Sequence, residues 1–173
     1  MNPSYLLRQL IPIPSFSREE TERADFLQTF LQSESLDTYR RGNNIWIFSP
    51  DWDDSKPVVL LNSHIDTVKP VSGWTKNPFL ALEEKGRLYG LGSNDAGASL
   101  VSLLQTFILL SKTKQPNNFI FLASCEEEVS GRNGIESVLN NLPRIDLAIV
   151  GEPTDMQPAI AECGLMVLDA KVF

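Results

Sequence analysis

The sequence predicts an α/β fold organised around a sheet that is largely parallel at its centre, and three observations predict it. Val58-Val59-Leu60-Leu61, Phe119 to Ala123 and Leu147 to Val150 are short, wholly apolar runs, as in strands buried on both faces. Helical patterns alternate with these runs, as the crossovers of a parallel sheet require. Each run is followed by a cluster of polar, chemistry-bearing residues, and in open α/β sheets ligands bind outside the carboxyl ends of the strands.

The elements follow in order. Asn2-Pro3-Ser4 caps a short helix with Pro at its first turn, and Pro12 ends it. Ser17-Arg18-Glu19-Glu20 has the form of a capping box, and Ala24, Leu27, Phe30 and Leu31 continue at helical spacing to about Gln32. Gly42-Asn43-Asn44 is a turn before a strand over Ile45 to Phe48, and Ser49 to Pro57 is a loop. Ala81 to Glu84 and Arg87 to Leu91 flank Lys85-Gly86 as a hairpin. Ala96 to Ser111 is a long apolar helix, Gly134 to Leu142 a further one, and Leu165 to Phe173 a last strand with no turn or polar tail behind it. A chain ending mid-strand is expected to be the first part of something longer.

The 173 residues carry 15 basic and 22 acidic side chains, a formal charge of −7. No basic stripe is available to displace counterions from phosphates, which argues against nucleic acid as a partner. No apolar run approaches the roughly 20 residues of a membrane span, and Met1 to Leu10 lacks the form of a signal peptide. A cytoplasmic location is expected, and two cysteines, Cys125 and Cys163, suit a reducing compartment. A compact fold of this length needs no metal merely to hold together.

The chemistry-bearing residues are those at the strand ends. His64 is the only histidine. His64 and Asp66, two apart in an extended segment, point to the same side, so Asp66 can hold one ring nitrogen while the other faces an ion. Asp95, just before the long helix, reads equally well as an N-cap. Glu126-Glu127-Glu128 directly follow a buried strand, where adjacent carboxylates repel unless a cation offsets them. Glu152 in Gly151-Glu152-Pro153 is a fourth strand-end acid. One imidazole and several carboxylates suit zinc, cobalt or manganese rather than soft thiolate chemistry. Gly90 to Ser99 matches neither nucleotide-loop pattern, because Asp95 and Ala98 stand where glycine and lysine are needed. A nucleophile built on Cys125 with His64 and Asp66 is a competing reading, weakened by the acids that raise a neighbouring thiol's pKa.

These residues resemble the di-zinc amidohydrolase family that includes acetylornithine deacetylase, succinyl-diaminopimelate desuccinylase, aminoacylase and carboxypeptidase G. Ser63-His64-Ile65-Asp66-Thr67-Val68 is similar to that family's first metal motif, and Gly73-Trp74 through Pro78-Phe79 and Gly86 to Gly92 to Asp95 is similar to its second. Glu126-Glu127-Glu128 with Gly131 and Gly134 resembles the third, and Gly151-Glu152-Pro153-Thr154 the fourth. Leu91, Ala96-Gly97, Glu126 and Cys163 depart from the usual residues, and none of these is a metal ligand in the family.

The resemblance implies a three-layer sandwich with a central mixed, mostly parallel sheet, the zinc-exopeptidase-like catalytic domain, of which residues 1–173 are the N-terminal part. It assigns His64 and Glu152 to one ion, Glu128 to the other, Asp95 as the bridge, Glu127 as general base and Asp66 as the residue orienting His64. It implies two zinc ions, with cobalt or manganese as substitutes, and a small-molecule N-acyl amino acid substrate. The first expectation is N-acetylornithine or N-succinylornithine in arginine biosynthesis, ahead of a desuccinylase, a dipeptidase or a non-catalytic metal-binding fragment. The family's homodimerisation domain, catalytic histidine and last metal-binding histidine are not among these residues, so the fragment alone is expected to hydrolyse little.

Overall fold

The computed structural model describes residues 2–161. The expectation of a strand over Leu165 to Phe173, and the position of Cys163, lie outside them.

Helix α1 (Pro3–Leu10) begins as its sequence directs, with the Asn2 side chain accepting the backbone N–H groups of Ser4 and Tyr5. Helix α2 (Thr21–Ser33) has no side-chain cap, so the expected capping box does not form. Ser17 donates its hydroxyl to the Asp66 carboxylate instead, at 2.8 Å. The residues of the box are diverted from helix initiation to the site described below.

Strands β1 (Tyr39–Arg41) and β2 (Asn44–Phe48) form a hairpin around Gly42. That glycine has φ +60, the left-handed conformation a tight hairpin turn demands. Strands β3 (Val58–His64), β6 (Asn118–Ser124) and β7 (Leu147–Val150) complete a five-stranded sheet of order β1-β2-β6-β3-β7. The three strands β6, β3 and β7 are mutually parallel, and β2 runs antiparallel to β6. A separate hairpin pairs β4 (Leu82–Glu84) with β5 (Arg87–Tyr89).

Side chains alternate across the sheet, as a period of two requires. Val59, Leu61, Phe119, Phe121 and Ala123 join the core that contains the buried faces of α1, α2 and α3 (Ser99–Leu110). Val58, Leu60, Ile120 and Leu122 pack on the other face against Trp46 and Val138, with Ile135, Leu142 and Trp52 at the margin. Phe107 of α3 and Phe121 of β6 are both fully buried, with ring centroids 6.5 Å apart. Each such side chain removed from water stabilises the fold by roughly 1.5–3 kcal/mol before entropy is counted.

Three expectations need correction. Gly134 to Leu142 is not an α-helix but two single 3₁₀ turns, Ile135–Ser137 and Leu139–Asn141. The Ser137 hydroxyl bonds the carbonyls of Asn133 and Gly134, and Pro143 forces Leu142 into an extended conformation, so the segment cannot propagate. Strand β7 is not buried on both faces: Leu147, Ile149 and Val150 are 56%, 47% and 56% exposed. Among the described residues it pairs with β3 alone and lies at the edge of the sheet they form. Finally, α3 starts at Ser99 rather than Ala96, because Asp95 and Ala96 have non-helical dihedrals within an irregular turn.

Candidate metal centre

Because β3, β6 and β7 are parallel, their carboxyl ends share one rim, and the segments that follow them meet there. His64 is the last residue of β3, Glu126 to Glu128 follow β6, and Glu152 follows β7. The turn leading into α3 brings Asp95 to the same place. His64 Nε2 lies 3.1 Å from Asp95 Oδ1 and 3.8 Å from a carboxylate oxygen of both Glu127 and Glu152. Donor atoms of His64, Glu127 and Glu152 lie within 4.8 Å of one another, and so do those of His64, Asp95 and Glu128. Asp95 therefore bonds the imidazole rather than capping a helix.

All six residues singled out in the sequence are brought together. Asp66 is fully buried and is the hub of the arrangement. Its carboxylate accepts the Ser17 hydroxyl at 2.8 Å and the backbone N–H groups of Glu127 and Glu128, each at 3.1 Å. His64 Nδ1 lies 2.9 Å from the Asp66 carbonyl oxygen and 3.4 Å from its carboxylate. The ring is thus held through the Asp66 main chain, with the carboxylate contributing charge at close range, and Nε2 is left facing the acids.

Sequence reasoning missed several supporting residues. Glu20 is fully buried and accepts the backbone N–H groups of Arg18 and Glu126 as well as the Asn43 amide. Asn44 accepts the N–H of Cys125 and donates to the Asn133 carbonyl, tying the β1–β2 turn to the loop after β6. Buried Arg23 donates to the carbonyls of Ile13 and Ile65, fixing the segment between His64 and Asp66. Ser63 donates to the Gly151 carbonyl at 2.9 Å, next to Glu152. The one signal available was a run of polar residues, Ser17 and Glu20, that also fits a helix cap.

The electrostatics follow from crowding at a rim. Burial pushes Glu152 up to about 7, helped by Glu127, Asp95 and Glu128 and opposed by His64. Burial and the Asp95 charge likewise raise Glu128. Burial works to lower His64, but the Asp66 hydrogen bond and charge, with Glu152 and Glu127, outweigh it and carry the ring up to about 9. For Asp66, burial acts upward, but its bonds from His64, Ser17 and the Glu127 and Glu128 amides hold it below the ordinary carboxylate range. Such a cluster retains protons it would release to a cation, and its one nitrogen and four carboxylates form a donor set that fits divalent ions of the zinc, cobalt or manganese kind.

The Cys125 reading fails on structure. The thiol is 2% exposed, its Sγ lies 3.4 Å from the Asn133 carbonyl, and burial with Glu20 and Glu126 pushes it up to about 12. A thiol so protonated and enclosed is no nucleophile.

The chain resembles several known proteins. Residues 60–165 match the model of peptidase family M20/M25/M40. The chain is similar to acetylornithine deacetylase of Shigella sonnei, 37% identical over 107 residues, which are 61% of this chain and 28% of that protein. It is also similar to acetylornithine deacetylase of Proteus mirabilis, 29% identical over 171 residues, covering 92% of this chain and 44% of the relative. Among solved structures, an M20 family metallo-carboxypeptidase, Sso-CP2 from Sulfolobus solfataricus, aligns with a TM-score of 0.71 at 23% identity, over 87% of this chain and 37% of the other. The chain thus spans less than half the length of these proteins.

Proposed function

Since the chain belongs to peptidase family M20/M25/M40, a family of hydrolases, we propose that it carries the metal-binding portion of a deacylase that cleaves the amide bond of an N-acyl amino acid. The observation that supports this reading above all is the convergence of His64, Asp95, Glu127, Glu128 and Glu152 on one strand-end rim. His64 and Glu152 would hold one ion and Glu128 the other, with Asp95 between them; zinc is the first choice, cobalt or manganese the substitutes. Ions bound there would polarise the scissile carbonyl and acidify water.

The residues of the chain supply the rest. Glu127 is half exposed at the rim, with its backbone N–H anchored on Asp66. Its carboxylate takes a proton from the attacking water as the water oxygen adds to the acyl carbon. The same proton goes to the amine nitrogen as the C–N bond breaks. Asp66 keeps the imidazole turned toward the acids, and Arg23 holds the Ile65 carbonyl between them. The names of the two relatives favour N-acetylornithine as substrate, with N-succinylornithine next, in arginine biosynthesis. A homodimeric protein in the cytoplasm, longer than these 173 residues and completing the catalytic domain, belongs to the same proposal. None of the described helices is long and apolar enough to cross a membrane.

Glu127→Gln tests the assignment. In the longer, zinc-loaded protein proposed here, hydrolysis of N-acetylornithine should be abolished by a chelator, and the variant should lose roughly 10²- to 10⁴-fold in kcat while both ions remain bound. Loss of an ion in the variant would make Glu127 a ligand, and chelator-resistant hydrolysis would overturn the metal-dependent reading.

A further inference from the structure

The Glu126–Glu128 turn carries the proposed base and a proposed ligand, yet it is built on an unfavourable backbone. Glu126 has φ +54, in the left-handed region that side-chain-bearing residues rarely adopt. Such a conformation persists only where its surroundings over-determine it. Asp66 secures the amides of Glu127 and Glu128. The amide of Glu126 itself is secured by a different group, the Glu20 carboxyl, at 3.2 Å.

Glu20 is unusual in three respects. It is fully buried, although it precedes an amphipathic helix whose start is ordinarily solvated. Its oxygens accept from three separate places: the Arg18 N–H at 2.6 Å, the Asn43 amide at 2.9 Å and the Glu126 N–H. Two of these donors, Arg18 at φ +75 and Glu126, are themselves left-handed non-glycine residues. Its neighbour Ser17 reaches Asp66. Ser17 and Glu20 therefore strap both carboxylates beneath the turn, and α2 gives up its cap for the purpose. No solvent reaches Glu20 to replace a missing acceptor, so an unpaired Glu126 amide would stay unpaired.

We propose that Glu20 is a positioning residue for Glu127 and Glu128: it fixes the left-handed Glu126 and thereby aims the next two carboxylates at the rim. This rests on the roles proposed above for those two glutamates. A carboxyl oxygen at the correct reach is what matters. Gln supplies one when the Asn43 amide turns over to match it; Asp, one methylene shorter, does not.

The test compares Glu20→Gln with Glu20→Asp in the purified protein, with cobalt(II) as the probe. In E20D the affinity for the weaker-bound cobalt should fall about 10- to 100-fold, as is usual for groups that orient a metal ligand, and the visible cobalt spectrum should change. In the longer protein that completes the catalytic domain, kcat for N-acetylornithine should drop with KM little altered. E20Q should restore the spectrum and stay within a few-fold of wild type. Wild-type cobalt affinity and spectrum in E20D would overturn the proposal, as would equal losses in both variants that merely track melting temperature. Hydrogen exchange separates this from the metal reading. The Glu126 amide should exchange slowly in the wild-type protein and about tenfold or more faster in E20D, whether or not metal is present. If wild-type protein takes up no cobalt, the metal-centre reading fails while exchange still decides Glu20. An unprotected Glu126 amide in wild type overturns the Glu20 proposal even if E20D does not fold.

Discussion

Replacing Asp66 with Asn keeps the shape of the side chain and removes its charge. The wild-type carboxylate accepts from Ser17, Glu127 and Glu128 and lies 3.4 Å from His64 Nδ1. An amide in its place has one acceptor oxygen, and its NH₂ must face at least one backbone N–H, which strands that donor at a cost of about 1–3 kcal/mol. The larger effect falls on His64. Burial lowers the ring's pKa, and Asp66 is foremost among the groups that instead carry it to about 9. Relative to an unfolded value of 6.5, that corresponds to about 3 kcal/mol, at about 1.4 kcal/mol per tenfold change in proton affinity.

The sign is that of a raised base. The contribution is complete below pH 6.5, declines above it and is gone once the pH passes about 9. In D66N, burial is still opposed by Asp95 at 3.1 Å and by Glu152 and Glu127 at 3.8 Å, so His64 should titrate roughly one to three pH units lower. His64 is the only histidine, so its C2–H resonance in the proton NMR spectrum of metal-free protein reports the ring without ambiguity. An unchanged titration in D66N, or a wild-type ring that titrates below 6.5, would refute the reasoning.

Metal uptake at pH 7 should release about one and a half protons, the whole of one from His64 and about half of one from Glu152, which sit near 9 and 7. Calorimetry in two buffers of different ionisation enthalpy measures this count, and proton-neutral binding would contradict it. The peptide containing Cys125 should resist iodoacetamide at pH 7 in folded protein and react on unfolding, because the thiol is 2% exposed and pushed to about 12; mass spectrometry of the digested protein reads it. Phe107→Ala empties a fully buried position against Phe121 and should cost about 3–5 kcal/mol in denaturant unfolding.

The strand-end residues were legible in the sequence because each carries its anomaly locally: an acid or an imidazole directly after an apolar run. Unbroken apolar runs located β2, β3, β6 and β7, and helical spacing the three α-helices, for the same reason. What could not be read depends on distant partners. Nothing near Ser17 or Glu20 distinguishes a helix cap from a strap to residues 49 and 106 positions away. Leu147 to Val150 reads as a central strand because its composition is apolar, yet exposure is decided by neighbours on the sheet rather than by its own residues. Tyr39 to Arg41 escaped notice since it carries two arginines, and its pairing is set by the Gly42 turn. Gly134 to Leu142 reads as a helix, but competing Ser137 bonds and Pro143 defeat it.

The long reach of Glu20 also imposes an order on biosynthesis. At roughly 5–20 residues per second of translation, the 106 positions that separate Glu20 from Glu126 take about 5–20 s to traverse. For most of that interval the apolar sides of α1 and α2 lack β6, the central strand that joins the β1–β2 hairpin to β3, and the Glu20 carboxyl lacks its Glu126 partner. Leu27 and Leu31, fully buried in the folded protein, wait for the same strand that later carries the turn.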